Sequence, residues 1–303
     1  MKLPAVCMAV VLISGPAVAF ADQMEDSYQA LQQAVAKKDP AQVKKLVADL
    51  TPLVKEALAA PAPTSDEERA LWKNGIDYAK SIQTYQEYAL FATAAGASGA
   101  TLLDLISTLE QLNPKSQYLE AAYGPYLAAL VQTGAQAKVI PIAEKAIESF
   151  PNNVDLLAVL SDNALSKMQK DRALAYANRL TAAFGRPRPE GVADAEWARK
   201  RSVMLGRGYW MAGVLYGEKN DWNPTDKNLR AALPLIQGNN AMMGPALFYL
   251  GLANYQLGKL FLNKARMLEG AKFSQQCAAI PGPLADQARH NAAITEQEAR
   301  AIR

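Results

Sequence analysis

The apolar and polar positions of this chain follow a helical pattern over most of its length. Alanine, leucine and tyrosine recur three or four residues apart, and the strict alternation of a β-strand is nearly absent. Representative apolar faces are formed by Tyr78, Ile82, Tyr85, Tyr88, Ala89 and Ala92, by Leu156, Leu157, Leu160, Ala164 and Leu165, and by Leu247, Leu250, Ala253, Asn254 and Leu257. Residues at this spacing lie on one side of an α-helix. The pattern therefore predicts an all-α protein.

Clusters of proline, glycine and asparagine divide the chain into segments of helical length. These breaks fall at 38–40, 61–63, 96–99, 113–114, 134, 151–153, 185–189, 238–240 and 281–283. Such residues end helices or form the turns between them. The segments that remain are about 12 to 20 residues long, which is ordinary for globular helices. We therefore expect a series of short helices joined by turns.

The first 21 residues have the features of an export signal. Lys2 supplies a positive charge, and the stretch from Leu3 to Ile13 is apolar but too short to span a bilayer. Ala19-Phe20-Ala21 then has the small-x-small pattern that signal peptidase reads. A retained helix, either buried or anchored in a membrane, is the alternative. We expect cleavage after Ala21 and an exported product that is periplasmic or secreted.

A repeated order of large and small residues runs from Glu120 to Pro187. The first window places Tyr123, Tyr126, Leu127 and Leu130 on one helix and Gly134, Val139, Ala146 and Pro151 at the turn, on the second helix and at its end. The next window starts at Val154 without a gap and places Leu157, Leu160, Ser161, Ala164 and Ala173 at the corresponding positions. Small residues allow two antiparallel helices to approach closely, and proline ends the second helix.

This pattern resembles the tetratricopeptide repeat, a helical hairpin of about 34 residues. Further windows at 206–239 and 244–283 are similar to it, and the run from Leu250 to Lys259 is the closest local match. The resemblance covers about two-thirds of the chain, with a degenerate window near 83–116. It implies a right-handed superhelical α-solenoid built from antiparallel helix pairs.

The expected organisation follows from these windows. It comprises a signal peptide at 1–21, an N-terminal helical pair and linker at 22–65, repeats at 66–187 with the clearest pair at 120–187, and a final region at 188–303. That final region holds the repeats at 206–239 and 244–283 and a last helix. We expect the last helix to turn Leu284, Ala288, Ala292 and Ile294 inward, so that its polar outer face caps the array.

Composition and charge narrow the functional classes. The formal net charge of +3 gives no electrostatic reason to expect nucleic acid or an anionic membrane as the partner. No segment after the signal has the apolar length of a transmembrane helix. Cys277 is the single thiol after Ala21, so no internal disulfide is expected, and we interpret it as a buried and inert thiol. The lone His290 is interpreted as a helix-surface residue.

Candidate catalytic groups are few. The carboxylates of Asp66, Glu67 and Glu68 fit a helix N-terminus, and Glu144 and Glu148 fit a solvated face. Gly206 and Gly208 lie inside a helical pattern and follow no strand, so they do not indicate a dinucleotide-binding loop. The sequence therefore predicts no catalytic residue, no cofactor and no metal ligand.

The resemblance also implies a binding groove, because the first helix of each repeat lines the concave face in this family. The residues implied to face the groove are Arg207, Trp210, Phe248, Tyr255, Gln256, Asp155, Asp162 and Ser166. The alternative is that the aromatic residues only fill space between helices. The polar residues of the family's carboxylate clamp are missing, since Gly124, Ala128, Ala158 and Leu252 stand at the matching positions.

Three functional hypotheses follow. The first is a non-enzymatic scaffold in the periplasm or cell envelope that binds a protein or peptide in a concave groove. The second is a structural subunit of an envelope assembly or secretion complex, with the same fold. The third, which the residues support least, is an enzyme with an unrecognised site. The identity of the partner, the face that binds it and the oligomeric state are left open by the sequence.

Overall fold

The computed structural model describes residues 16–188 and 193–302, with side chains from Gln23 onward. Within these ranges the chain forms thirteen α-helices, two short 3₁₀ turns and no β-strand, so the all-α prediction is confirmed. The helices are α1 (Pro16–Ala36), α2 (Pro40–Ala59), α3 (Asp66–Ala95), α4 (Gly99–Leu112), α5 (Leu119–Gln132), α6 (Val139–Ser149), α7 (Val154–Ser166), α8 (Lys170–Ala183), α9 (Asp194–Glu218), α10 (Trp222–Ala232), α11 (Asn240–Leu260), α12 (Lys264–Ala278) and α13 (Ala285–Ala301).

The N-terminal elements match the predicted helices. Residues 1–15 of the predicted signal peptide lie outside the described residues, and α1 continues past the predicted cleavage point at Ala21. The predicted helical pair is present as α1 and α2. After a non-helical linker, Ser65 caps α3: its hydroxyl accepts a hydrogen bond from the Glu68 backbone N–H at 3.3 Å and donates one to the Glu68 carboxylate at 2.9 Å. This N-cap fixes the start of α3.

The chain divides into two compact units, Met1–Gln136 and Ala137–Arg303. Unit 1 contains α1 to α5, and unit 2 contains α6 to α13. The boundary lies inside the window that begins at Glu120. The two helices α5 and α6, which the repeat pattern pairs in one hairpin, therefore belong to different units.

In unit 1 each helix packs against the next, and α1 also contacts α3, α2 contacts α4, and α3 contacts α5. The side chains of Leu31, Leu50 and Ile82 are completely buried in this core. A polar bridge joins α3 to α2, because the buried Gln86 side chain donates a hydrogen bond to the backbone carbonyl of Val47 at 2.9 Å. The amide is thus satisfied inside the core, which removes the cost of burying it.

Unit 2 has a more regular contact pattern. Each helix from α6 to α12 packs against the next helix along the chain. The odd-numbered helices α7, α9, α11 and α13 also contact one another in turn, whereas α8, α10 and α12 make no comparable contact among themselves. The odd-numbered helices α7 to α13 therefore form one layer of unit 2, and the even-numbered helices α8 to α12 pack against that layer.

Five turns in the described part of the chain share one backbone geometry. The residues with positive φ at these turns are Lys38, Gly134, Met168, Asn220 and Leu262, with φ from 50° to 78°. In each turn this residue donates its N–H to the carbonyl three positions earlier, and the next residue donates to the carbonyl five positions earlier. This is the Schellman motif, which closes a helix and redirects the chain. It ends α1, α5, α7, α9 and α11 in the same way.

The last helix caps unit 2 with one change from the predicted face. Ala288 and Ala292 are buried, as predicted, and Leu284 is partly buried against the same core. Ile294 is 36% exposed, so the prediction that it faces inward is wrong. Thr295 is buried instead, because the inward positions of α13 continue three and four residues apart from Ala288.

Candidate functional site

Six aromatic rings form a continuous row on unit 1. We define the tyrosine strip as Tyr28, Tyr78, Tyr85, Tyr88, Phe91 and Tyr118. The ring centroids are 6.2 Å apart for Tyr28–Tyr78, 5.3 Å for Tyr28–Tyr85, 5.6 Å for Tyr85–Tyr88, 6.0 Å for Tyr88–Tyr118 and 5.5 Å for Phe91–Tyr118. These separations are typical of stabilising aromatic pairs. The strip links α1, α3 and Tyr118, the residue immediately before α5.

The helical period of α3 explains how the strip forms. Ile82 and Ala89 lie at the centre of the apolar face of α3 and are completely buried. Tyr78, Tyr85 and Tyr88 flank them on the same face and are only partly covered, with Tyr88 42% exposed. The sequence pattern identified this face as one apolar stripe. Its edge is in fact a surface of half-exposed aromatic rings.

One end of the strip is fixed by a polar contact. The Tyr78 hydroxyl donates a hydrogen bond to the Glu25 carboxylate of α1. Burial, together with this carboxylate, raises the pKa of Tyr78. The phenol therefore stays protonated at neutral pH and holds α1 against α3.

The other tyrosines of the strip offer hydrogen-bond donors. Burial and the neighbouring rings of Tyr28 and Tyr88 raise the pKa of Tyr85, so it too is protonated at neutral pH. Within the described residues, no protein group accepts a hydrogen bond from the hydroxyls of Tyr85, Tyr88 or Tyr118. The strip thus combines apolar ring area with hydroxyl groups that are available to water or a ligand.

Several residues predicted to face the groove form ion pairs in unit 2. Asp155 on α7 accepts a hydrogen bond from Lys200 at 2.6 Å, and Asp162 accepts one from Arg207 at 2.7 Å. The two acids and the two bases follow the same spacing along α7 and α9, so these helices run parallel. Burial raises the pKa of Asp162 despite the opposing effect of Arg207. The pairs bridge neighbouring helices of the odd-numbered layer.

The two aromatic residues expected at the groove centre are largely covered. Trp210 is partly buried, and its indole N–H donates a hydrogen bond to the backbone carbonyl of Met242 at 2.8 Å. Phe248 is 6% exposed and packs with Cys277 and Ala288 in the core beneath α13. Both side chains fill space between helices, which was the alternative interpretation of them. The groove itself stays a prediction.

The remaining predicted groove residues lie near the surface. The Tyr255 hydroxyl donates a hydrogen bond to Glu298 of α13 at 2.9 Å, and Lys259 lies 5.0 Å from the centre of the Tyr255 ring. Gln256 is half-buried beside it. Ser166 is exposed and donates to the Asn163 carbonyl of its own helix at 2.9 Å. Tyr255 therefore connects α11 to the capping helix.

A partly buried polar network in unit 2 was not predicted from the sequence. Its members are Asp226 and Arg230 on α10, Asn254 on α11, and Arg266 and Glu269 on α12. Asn254 is completely buried, donates to Asp226 at 2.7 Å and accepts from Arg230 at 3.0 Å. Arg230 binds both carboxylate oxygens of Glu269 at 2.7 Å.

The hydrogen bond from Arg230 lowers the pKa of Glu269. Arg266 completes the network with a hydrogen bond to Asp226 at 3.1 Å. Because each member binds another member, the network joins three helices. The repeat pattern placed Asn254 at a position for a large side chain, and no sequence signal distinguished its polar role.

The two residues with reactive side-chain chemistry lie where the sequence placed them. Cys277 is 1% exposed, donates its thiol to the Gly244 carbonyl at 3.3 Å, and has its pKa raised by burial. His290 is exposed on α13. The described residues contain no group of three or more His, Cys, Asp or Glu side chains placed to hold a metal ion. Among those residues, none of the helices has the length and apolar character needed to cross a membrane.

Two open grooves of about 490 and 520 Å³ lie between α2 and α4 of unit 1. Asp104 lines both grooves and accepts a hydrogen bond from Lys44 across them at 2.5 Å. The walls of the larger groove include Thr51, Ser107 and Thr108. Apolar and polar side chains both line these grooves, which are open to solvent.

The comparisons with family models and with curated proteins give no basis for assigning a function. No protein-family model matches the chain, and no curated protein matches it.

Proposed function

We propose that this protein is a non-enzymatic binding module that holds an extended segment of another protein on the tyrosine strip. The observation that supports this function is the row of half-exposed rings in which the hydroxyls of Tyr85, Tyr88 and Tyr118 find no acceptor among the described residues. Tyrosine provides large contact area at a small entropic cost, and it is enriched at binding surfaces. An extended peptide offers apolar side chains for the rings and backbone carbonyls for the hydroxyl donors.

We further propose that the helices form a right-handed α-solenoid of the tetratricopeptide type. The shared Schellman turns support this architecture, because four of the five close the first helix of a packed pair, namely α1–α2, α7–α8, α9–α10 and α11–α12. A tetratricopeptide repeat spans about 34 residues, and the positive-φ residues Gly134 and Met168 are separated by one such repeat. The buried small residues Ser161 and Ala173 occupy the positions at which the family packs its paired helices.

We also propose that the chain is exported and begins at Asp22 in its mature form. The support is the charged, apolar and small-x-small order of residues 2–21. Determination of the N-terminal residue of protein recovered from the source cell's envelope fraction tests this proposal. A cytosolic product that retains Met1 or Lys2 contradicts it.

A peptide selection tests the binding function. The full chain is immobilised and challenged with a random peptide library, and the affinity of each selected peptide is measured by fluorescence anisotropy. We expect wild-type protein to select a common apolar motif. We expect the double variant Tyr88→Ala/Tyr118→Ala to bind that motif about tenfold more weakly or worse, because it removes two exposed anchors.

The matched control is Tyr176→Ala on α8, which removes a half-exposed tyrosine from unit 2 and should leave peptide affinity unchanged. Circular dichroism verifies that each variant keeps its helical content. Equal affinity of wild type and the Tyr88/Tyr118 variant rejects the strip as the binding surface. Loss of binding in Arg207→Ala/Tyr255→Ala, with the strip variant unaffected, would instead favour the groove predicted in unit 2.

A further inference from the structure

The turn between α11 and α12 exposes three consecutive large apolar side chains. Leu260, Phe261 and Leu262 are 71%, 63% and 74% exposed. These values are among the highest of the large apolar residues in the described part of the chain. Contiguous exposed apolar surface of this kind commonly marks a contact with a membrane or another molecule.

The fold does not require apolar residues at this turn. The same Schellman geometry is formed with Gly134 at the end of α5 and with Asn220 at the end of α9. Glycine and asparagine adopt positive φ readily, whereas a leucine with φ of 50° is disfavoured. Leu262 therefore occupies a position where its backbone is strained and its side chain is unburied. Burial of the Leu262 side chain in an apolar phase outside the protein would offset the free-energy cost of both the strain and the exposure.

Basic residues surround the apolar turn. The segment from Tyr255 to Leu268 contains Lys259, Lys264 and Arg266 and no carboxylate. Lys259 pairs with Glu298 of α13 at 3.0 Å. Lys264 donates a hydrogen bond to the Ile302 backbone carbonyl at 3.2 Å, which leaves its charge uncompensated at that contact.

The other turns at this end of unit 2 add similar residues. The helices α7, α9 and α11 run parallel, because the ion pairs align α7 with α9, and the contacts of Trp210 with Met242 and of Gly217 with Tyr249 align α9 with α11. Their C-terminal turns therefore lie at the same end of unit 2. In the turn after α7, Met168 is 70% exposed. This end of unit 2 also carries Lys167, Lys170 and Lys219.

Carboxylates are also present at this end, and two of them are engaged in ion pairs. Glu218 pairs with Lys170 at 3.0 Å, and Asp171 pairs with Lys219. Asp221 lies at the start of α10. The apolar turn between α11 and α12 therefore lies in a surface that has more basic than acidic side chains.

We propose that the α11–α12 turn inserts into the surface of a lipid bilayer that carries anionic headgroups. Leu260, Phe261 and Leu262 would enter the boundary between headgroups and acyl chains. Lys259 and Lys264 would remain at the level of the phosphates, where their charges are attracted to anionic lipid. The flanking positions of the two lysines suit this depth, since their long side chains reach back toward the headgroups.

The high exposure of the turn favours a bilayer over a protein partner. A protein partner needs a concave site complementary to three neighbouring exposed side chains, whereas a bilayer accepts exposed apolar groups without a preformed site. The basic residues around the turn complement anionic lipid directly. This contact is independent of the tyrosine strip, which lies in unit 1.

Vesicle co-sedimentation tests the proposal with the full chain. Vesicles of phosphatidylcholine with phosphatidylglycerol are compared with vesicles of phosphatidylcholine alone. We expect binding to the anionic vesicles, weakened by added salt. We expect Phe261→Ser/Leu262→Asn to lower the partition coefficient by about tenfold or more, because it removes two inserted apolar groups. Asparagine is chosen at 262 because Asn220 adopts the same backbone geometry in the sister turn.

The control is Val203→Ser, which removes a side chain that is 63% exposed on the surface of α9 and should leave vesicle binding unchanged. Each protein is also tested from Asp22, because the apolar residues 3–13 can bind lipid by themselves. Equal vesicle binding by wild type and the Phe261/Leu262 variant in this shorter form overturns the proposal. So does wild-type self-association that the variant abolishes, in the absence of vesicle binding, since the turn would then contact a second copy of the chain.

Discussion

The backbone of Gly270 lies directly against the backbone of Gly251. A Cβ atom added at Gly270 would be 2.9 Å from the carbonyl oxygen of Gly251 and 2.9 Å from the backbone nitrogen of Tyr255. A Cβ added at Gly251 would be 2.2 Å from the Ser274 hydroxyl. Helices α11 and α12 therefore approach more closely than any residue with a side chain would allow at this point.

Substitution of Gly270 should disturb this contact. We expect Gly270→Ala to lower the free energy of unfolding by about 1–3 kcal/mol, because the new methyl group meets backbone atoms that cannot rotate away. Gly75→Ala inside α3 is the control, since a Cβ there meets nothing within 4 Å. The control should raise stability by roughly 0.5–1 kcal/mol through helix propensity. Urea titration measures both, and equal effects of the two substitutions would contradict the close contact.

The network around the buried Asn254 should be sensitive to loss of this central amide. We expect Asn254→Leu to cost about 2–4 kcal/mol of unfolding free energy, because Asp226 and Arg230 lose a buried hydrogen-bond partner. Gln256→Ala changes a half-buried residue two positions away and should change stability by less than about 0.5 kcal/mol. A neutral effect of Asn254→Leu in chemical denaturation would show that the network adds no net stability.

The pH dependence of stability should differ in sign for two carboxylates of unit 2. Arg230 holds the folded-state pKa of Glu269 below its ordinary value of 4.5. The stability that this contributes is present above the ordinary value and is lost as the pH falls through the lower folded-state pKa. The difference in unfolding free energy between wild type and Glu269→Gln should therefore shrink in acid. Glu269 is 42% exposed in its side chain, so solvent screening keeps the effect small.

Asp162 should behave in the opposite way. Burial raises its folded-state pKa above the ordinary value of 3.8, so its favourable contribution is present in acid and is lost as the pH rises through the raised pKa. Relative to wild type, Asp162→Asn should therefore become more stable as the pH is raised from about 3 to 7. Denaturation curves at both pH values test this, and a parallel trend for the Asp162 and Glu269 variants would refute it.

The turn after α7 offers a test of backbone strain. Met168 has φ of 56° and is 70% exposed, so Met168→Gly removes strain and little packing. We expect a gain of about 0.5–1 kcal/mol in stability. Lys167 has φ of −89°, so Lys167→Gly should instead cost about 0.5–1 kcal/mol. Thermal unfolding of the two variants should shift the midpoint in opposite directions.

Helix positions were predictable from the sequence because local signals specify them. The apolar period and the breaking residues identified the helical pair before the linker, the start of α3 at Asp66 and the last helix. The predicted inward face of α13 is wrong at Ile294, because this residue lies beside the apolar stripe and is not part of it. Only the packing of α13 on its neighbours selects Thr295 instead.

The candidate binding surface was harder to predict. The tyrosines of α3 were identified on one face, but the sequence could not show that Tyr28 and Tyr118 would extend the row from other helices. Likewise, Trp210 and Phe248 look like surface anchors by their residue type, and tertiary packing covers them. Side-chain exposure depends on which helices meet, and a helical period alone does not encode that.

The contacts between helices in each unit also have a consequence for folding kinetics. Each helix packs mainly on the one before it and the one after it, so most contacts join residues that are close in sequence. Such a low contact order leads to fast folding, because little chain entropy is lost before each contact forms. The Schellman turns close their hairpins through hydrogen bonds that span only a few residues. Folding should therefore start from separate hairpins, and amide exchange should protect the paired helices of a hairpin together.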